Sequence, residues 1–200
     1  MSPKELRRVR PLFLAGHLAL DFVNTRMRVG DSLVDLLQSD SDVLIWFKQA
    51  GLATLTIGDE PKPLNLLRSA RTLRKNIRSL IESRKEGERG DPSVINKFLA
   101  AGCGYSQLIW SKPSKLRVET VRRQQSAESI FVSVAEAAID LLTTHDFDLV
   151  KRCEDQTCVH WFLDQTKSHR RRWCSMELCG NRHKVAAYRA RRRHQGSSRE

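Results

Sequence analysis

The chain has 200 residues, of which 40% are hydrophobic and 29% are charged. It is long enough to bury the core of one domain, or of one domain with a small appendage, which excludes disorder of the whole chain. A net charge of +12 favours polyanionic partners, with nucleic acid ahead of an anionic membrane surface. The longest apolar stretch, Leu12–Leu20, is interrupted by His17 and falls far short of the roughly 18 residues of a membrane span.

Helical spacing predominates in the first three quarters of the sequence. Apolar periodicity predicts helices over residues 18–27, 40–50, 63–84, 91–101 and 126–143. Alternating residues over 105–110 and 116–120 predict a small β-hairpin with its turn at 112–115. The predicted fold class is therefore mainly α (α+β), a helical domain with a small β-hairpin.

Charge and cysteines divide the sequence near residue 150. Residues 1–150 carry 22 basic and 18 acidic side chains, whereas residues 151–200 carry 13 and 5, together with four of the five cysteines. We predict an N-terminal domain over 1–150, a small module over 151–194 and a flexible tail over 195–200. An odd number of cysteines does not suit a disulfide framework, so we expect a reduced, cytoplasmic chain with a metal site.

Two matching cysteine pairs are the strongest local signal. Cys153 and Cys158 enclose four residues, and so do Cys174 and Cys179. Four thiolates about 2.3 Å from a tetrahedral Zn²⁺ satisfy that ion completely, so we predict one zinc ion per chain. Disulfides and unligated buried cysteines are the alternatives. Because the module has a very small core, we expect it to need the metal in order to fold.

Basic residues surround the predicted metal site. Gly180 and Asn181 suit a tight turn and an N-cap, and they precede a basic helix over 182–193. Arginine binds phosphate oxygens and guanine edges with two parallel hydrogen bonds. We predict nucleic-acid binding, with DNA favoured over RNA, by nine residues: Arg170, Arg171, Arg172, Arg182, Lys184, Arg189, Arg191, Arg192 and Arg193. The alternatives are that these charges balance the Zn(Cys)₄ centre or bind an acidic partner.

A second group of polar residues lies beside the first apolar helix. It could line a pocket for a small-molecule effector and make the larger domain a sensor; its members are Asp21, Asn24, Thr25 and Arg26. Helix capping and surface polarity are the simpler interpretation of each residue. Cys103, between two glycines, is interpreted as a small buried residue rather than as a redox thiol.

The C-terminal segment resembles the CGNR-type zinc-finger family. The resemblance is carried by Trp161-Phe162-Leu163-Asp164, by the stretch 171–176 and by Cys179-Gly180-Asn181-Arg182. Residues 18–25, Leu-Ala-Leu-Asp-Phe-Val-Asn-Thr, resemble the opening motif of the ABATE domain, which precedes the finger in that family. The resemblance implies a bacterial, stress-induced transcription regulator with zinc held by the four cysteines. We expect a treble-clef-like or ribbon-like finger that ends in a basic helix.

Three functional hypotheses follow. The first is a zinc-dependent, DNA-binding transcription regulator without enzymatic activity, since no catalytic triad, phosphate-binding glycine loop or carboxylate pair is recognisable. The second is a nucleic-acid-processing or RNA-associated enzyme, in which the finger delivers substrate to the N-terminal domain. The third is a protein–protein adaptor. Homodimerisation through the N-terminal helices is a further hypothesis, because paired half-sites raise specificity.

Overall fold

The structure is a computed structural model that describes residues 13–29, 32–52, 65–102, 104–111, 115–122, 126–143 and 146–197. Cys103, the start of the helix predicted from residue 63 and most of the predicted hairpin turn lie outside these residues. The described elements, in chain order, are α1 (Leu18–Val23), β1 (Arg26–Val29), β2 (Ser32–Asp35), α2 (Asp40–Gln49), α3 (Leu66–Glu86), α4 (Ser93–Ala100), β3 (Gly104–Ser111), β4 (Lys115–Arg122), α5 (Ala127–Ile130), α6 (Val132–Thr143), a 3₁₀ turn (Phe147–Leu149), β5 (Val150–Arg152), β6 (Trp161–Leu163), a π-helical turn (Met176–Gly180) and α7 (Asn181–Ser197).

The chain divides into two compact units. One is formed by Met1–Leu36 together with Thr144–Glu200, and the other by Leu37–Thr143. We call them the finger unit and the helical unit. The finger unit is discontinuous in sequence, because it joins the first described helix to the cysteine-rich segment. The finger unit thus includes residues from both sides of the division that the sequence predicts near residue 150, and that division stays a prediction.

The helical unit is built around a core of aromatic and aliphatic side chains. Phe131 is fully buried, and its ring meets those of Phe47 and Phe98 edge to face at centroid distances of 5.2 Å and 6.0 Å. Edge-to-face pairs at this distance add about 0.5–1.5 kcal/mol beyond the burial of area. α3 contributes Leu73 and Ile77, which are also fully buried. This core confirms the predicted mainly α class.

Local signals set the helix ends in the helical unit. Ser39 caps α2 in a capping box, since its hydroxyl accepts from the Asp42 amide while the Asp42 carboxylate accepts from the Ser39 amide. α3 ends at Gly87, whose φ of 76° is a left-handed conformation that glycine adopts without strain. The helices predicted over 40–50, 63–84 and 91–101 are thereby confirmed in their described parts.

Two predicted helices differ from the structure. The helix predicted over 18–27 ends at Val23, and Met27 lies instead in β1, opposite Val34 of β2. α1 ends just before Asn24, whose side-chain amide forms hydrogen bonds with the backbone of Trp161 in β6. The helix predicted over 126–143 is divided at Phe131, whose backbone leaves the helical conformation while its ring enters the core.

The predicted β-hairpin is confirmed as β3 and β4, which pair antiparallel. Leu108 faces Val118 and Trp110 faces Leu116 across the two strands. These four side chains share one face, and Trp110 is 73% exposed. None of the helices in the described part of the chain combines the length and apolar character that crossing a membrane requires.

Candidate metal centre

The first cysteine pair lies on a loop that joins β5 to β6. The two strands pair antiparallel, and the Cys153 amide continues the ladder by donating to the His160 carbonyl at 2.9 Å. Asp155 turns the chain inside the loop, because its Oδ1 accepts from the Thr157 amide at 2.9 Å and from the Thr157 hydroxyl at 2.6 Å. The Cys158 amide donates to the Asp155 carbonyl at 2.8 Å, which brings Cys158 back towards Cys153.

The second pair lies where an irregular segment becomes helical. Ser175 caps the π-helical turn by accepting from the Leu178 amide, and the Cys179 amide donates to the Ser175 carbonyl at 3.1 Å. This turn continues directly into α7 at Asn181. A Cβ at Gly180 would meet Met176 Sδ at 2.3 Å and Trp173 Cδ1 at 3.2 Å, so only glycine lets Met176 and Trp173 pack this closely.

The four sulfurs converge on one point. All four Sγ atoms lie within 4.8 Å of one another, with 3.7 Å between Cys158 and Cys174 and 3.5 Å between Cys174 and Cys179. A tetrahedral site with Zn–S bonds of about 2.3 Å has S···S edges of about 3.8 Å. A disulfide needs about 2.05 Å, and all four cysteines are free. The donor set therefore fits one zinc ion in a closed, structural site.

Four thiols this close compete for protons. Hydrogen bonds from Cys158 and Cys174 lower the pKa of Cys153. The hydrogen bond with Cys153 raises the pKa of Cys158 to about 12, and burial raises the pKa of Cys179. A second thiolate is unfavourable at this site unless a cation balances it. A divalent cation supplies that charge, and it has to displace the remaining protons when it binds.

Arg182 joins the two cysteine loops. Its Nε lies 3.1 Å from Asp155 Oδ2, its Nη1 donates to the Thr157 hydroxyl at 3.1 Å, and its Nη2 donates to Cys179 Sγ at 3.3 Å. One guanidinium thus bridges the loop of Cys153 and Cys158 to a ligand of the second pair. Its positive charge lies beside a thiolate centre, where it offsets the negative charge of the ligands.

Arg171 connects the second pair to the N-terminal segment. Its Nε donates to the Trp173 carbonyl at 2.9 Å, and its Nη2 donates to the Leu14 carbonyl at 3.0 Å and to the Cys174 carbonyl. The guanidinium also lies over the ring of Phe162, 4.4 Å from its centroid. This residue holds the backbone of a metal ligand in place.

A buried carboxylate fixes the chain that leads to Arg171. Asp164 is fully buried and accepts from Lys151 Nζ at 2.8 Å, from the Thr166 hydroxyl at 2.6 Å and from the Arg171 amide at 2.9 Å. Burial alone would raise the pKa of Asp164, but the hydrogen bonds from Lys151 and Thr166 outweigh it and hold the pKa well below its usual range.

A repeated tripeptide in the sequence marks the turns that Asp155 and Asp164 form. The finger contains the tripeptide Asp-Gln-Thr twice, at 155–157 and at 164–166. In both copies the aspartate Oδ1 accepts from the amide and the hydroxyl of the threonine two residues later. An aspartate with a threonine at i+2 is typical of such a side-chain turn, so the repeat could have identified both loops.

The structure separates the predicted nucleic-acid-binding residues into three groups. Arg171 and Arg182 bind within the finger unit, and Arg172 forms an ion pair with Glu154 at 2.6 Å. Exposed side chains form the second group: Arg170, Lys184 and Arg189. The third group lies on the α7 backbone with side chains outside the described residues: Arg191, Arg192 and Arg193. Nucleic-acid binding by these residues stays a prediction.

The residues predicted to line an effector pocket mostly have internal partners. Asn24 is buried, and Thr25 Oγ1 donates to the Phe22 carbonyl at 2.7 Å. Asp21 Oδ1 accepts from the Ala15 amide at 3.0 Å, and burial raises the pKa of Asp21 to about 6. Arg26 is exposed at the start of β1. Ligand binding by these four residues stays a prediction.

Family models match both parts of the chain. The ABATE model, described as "Putative stress-induced transcription regulator", matches residues 16–145, and the CGNR zinc-finger model matches residues 150–192. A comparison with curated proteins gives no match. The ABATE model describes a regulator, and the four clustered cysteines provide this chain with a site for one zinc ion. The chain belongs to the ABATE family of transcription regulators and carries a C-terminal CGNR zinc finger.

Proposed function

We propose that the protein is a zinc-dependent, DNA-binding transcription regulator in which α7 contacts DNA. The observation that carries this proposal is the direct junction between the metal site and the basic helix. Cys179 lies in the π-helical turn, and α7 begins at the residue that follows this turn. Zinc bound to Cys179 would therefore fix the direction in which α7 leaves the finger.

The exposed surface around this junction is positively charged. Between residues 167 and 193 there are ten basic side chains and one acidic one, Glu177. Among the described residues, Arg170, Lys184 and Arg189 expose their cationic groups to solvent. Such residues are available to neutralise phosphates, whereas Arg171 and Arg182 already bind the finger itself.

Helix geometry favours DNA over RNA. α7 has 17 residues and is therefore about 25 Å long. The major groove of B-DNA, about 12 Å wide, admits a helix, whereas the deep and narrow major groove of A-form RNA does not. A small-molecule effector and a homodimer remain predictions that this proposal does not need.

The experiment is a fluorescence-anisotropy titration of the full chain with a labelled DNA duplex. We expect binding that a chelator abolishes and that zinc restores. Neutralisation of about five phosphates would give a slope of log K against log salt near −4 to −5. A slope close to zero, or equal binding with and without zinc, would contradict the proposal. Tighter binding of an RNA duplex of the same sequence would contradict the choice of DNA.

Arg189→Ala is the matched test of the helix. Its side chain is exposed on α7, two turns beyond Arg182. If Arg189 contacts a phosphate, the variant should reduce the magnitude of the salt slope by about 1 and weaken binding of all sequences alike. Arg84→Ala, an exposed arginine in the last turn of α3, provides the control and should leave the slope unchanged.

A further inference from the structure

We infer that residues 14–24, which include the start of the ABATE match, form part of the zinc module, and that Asn24 is a positioning residue of the metal centre. The family models assign residues 16–145 and 150–192 to separate regions. In space, however, the residues around α1 belong to the same compact unit as the four cysteines. Zinc binding and the docking of residues 14–24 should therefore be coupled.

The first link runs from Asn24 to Cys153. Asn24 Nδ2 donates to the Trp161 carbonyl at 2.8 Å, and Asn24 Oδ1 accepts from the Trp161 amide at 3.0 Å. Both ends of the amide are thus bound to one residue of β6. The carbonyl of His160, directly before that residue, accepts from the Cys153 amide at 2.9 Å. Asn24 therefore fixes β6 directly beside the hydrogen bond between His160 and Cys153, which positions one of the four cysteines.

The second link runs from Leu14 to Cys174. Arg171 Nη2 donates to both the Leu14 carbonyl and the Cys174 carbonyl, so one guanidinium group ties the segment to a ligand of the other pair. Asn24 and Arg171 act on different cysteine pairs. The N-terminal segment consequently reaches both halves of the metal site.

Two further hydrogen bonds between these links show how closely the segment packs on the finger. The Leu163 amide donates to the Ala15 carbonyl at 2.7 Å, and Gln165 Nε2 donates to the Gly16 carbonyl at 3.1 Å. Gly16 has a φ of 74°, and a Cβ there would lie 3.3 Å from the Leu163 carbonyl oxygen. A glycine is thus required where the segment passes over the strand.

The coupling has a physical reason in the small size of the finger. β5 and β6 have three residues each, which is too little for a stable hairpin in water. A bound zinc ion would supply the missing free energy by joining the loops at either end of β6. If the hairpin opens, the buried amide of Asn24 loses both partners. By linkage, a group that stabilises the metal-binding conformation is itself stabilised by the metal to the same extent.

Hydrogen exchange of the full chain, with zinc and after chelation, tests this coupling. We expect amides of residues 15–25 to exchange about tenfold faster or more once zinc is removed, while amides of α3 in the helical unit keep their protection. Equal protection of residues 15–25 in both states would overturn the inference. This measurement needs no substitution, so it does not depend on whether a variant folds.

Two variants assign the effect to Asn24. Asn24→Ala removes both hydrogen bonds to β6, and we expect the zinc Kd, measured by competition with a chromophoric chelator, to rise about tenfold. Thr25→Val is the matched control, because it removes a buried hydrogen bond to Phe22 in the same segment. It should leave the zinc Kd near that of the wild type. Equal zinc Kd values for the two variants would overturn the role of Asn24.

Cobalt substitution separates positioning from general destabilisation. Co²⁺ bound to four thiolates has charge-transfer and d–d absorption bands that report on its coordination geometry. We expect Asn24→Ala to change these bands at saturating Co²⁺ and Thr25→Val to leave them unchanged. An Asn24→Ala spectrum identical to that of the wild type would contradict a positioning role. This readout does not depend on the DNA-binding proposal.

Discussion

Replacing Arg182 with alanine should weaken zinc binding rather than act on DNA contacts alone. The guanidinium binds Asp155 and Thr157 in the first cysteine loop and Cys179 in the second pair. Asp155 is 8% exposed, so the variant leaves a nearly buried carboxylate without its cation. It also removes a positive charge beside the thiolates, which makes their deprotonation less favourable.

The magnitude follows from these contacts. A hydrogen bond to a charged group contributes about 1.5–3 kcal/mol, but the Arg182 side chain is 48% exposed and solvent screens part of that energy. A net loss of about 2 kcal/mol corresponds to a rise in zinc Kd of about 30-fold. This lies within the range of about 10- to 100-fold that is typical when groups supporting metal ligands are removed.

The assay is competition for zinc with a chromophoric chelator at pH 7. Arg189→Ala is the control, since it removes an equal charge from α7 in an exposed position. Arg182→Lys keeps the charge but loses the planar fork, so its zinc Kd should lie between those of the wild type and the alanine variant. At saturating zinc, each variant should still bind one ion per chain.

One result would refute this reasoning. If Arg182→Ala and Arg189→Ala have the same zinc Kd, the bridge between the cysteine loops contributes nothing measurable to the metal site. Arg182 would then be available for the nucleic-acid role that the sequence suggested. A DNA titration at saturating zinc completes the comparison, because Arg189→Ala should weaken DNA binding more than Arg182→Ala does.

Three further predictions concern other parts of the chain. Cys174→Ala removes one of the four ligands, so zinc analysis should find less than one ion per chain and duplex binding should be lost; full binding would contradict a zinc-dependent interface. Burial raises the pKa of Asp21 to about 6, so the contribution of this carboxyl to stability falls as pH rises from about 4 to about 6. In urea unfolding, the stability advantage of Asp21→Asn over the wild type should grow by about 1 kcal/mol between pH 5 and pH 7, and a pH-independent difference would contradict the burial cost. Phe131→Ala opens a cavity at the centre of the helical unit and should lower its free energy of unfolding by about 3–5 kcal/mol in denaturant titrations, whereas a loss below about 1 kcal/mol would contradict the described packing.

The metal ligands could be predicted from the sequence because their chemistry is local and paired. Two cysteines with four residues between them on a tight loop are brought together by that loop, and only one long-range step then unites the pairs. Several helix ends could also be predicted from the sequence, because the signals for them are short-range. The helix predicted from Asp40 does begin there, although its cap is the preceding residue, Ser39, and the helix predicted to end at residue 84 continues to Glu86.

The separate roles of the arginines could not be read from the sequence. Arg170, Arg171 and Arg172 are consecutive and chemically identical, yet the first is exposed, the second binds Leu14 and the third pairs with Glu154. Which of them turns inwards depends on the buried carboxylate of Asp164, which accepts from the Arg171 amide. That contact exists only once the finger is folded.

Sequence periodicity also could not predict where α1 ends. Leu18, Phe22, Val23 and Met27 fit one helical stripe, but the partner of the polar residue that follows Val23 lies 137 positions further along the chain. A pattern confined to neighbouring residues carries no information about such a partner. The same contact explains why Asn24, one of the residues predicted to line an effector pocket, is buried.

The discontinuity of the finger unit has a consequence for the nascent chain. Asn24 leaves the ribosome long before Trp161, its partner, has been made. At a synthesis rate of about 5–20 residues per second, the intervening 137 positions take about 7–27 s. Throughout that delay, Leu20, Phe22 and Val23 have no finger to pack against. Chaperone occupancy and aggregation of ribosome-bound intermediates should therefore depend on this short apolar segment.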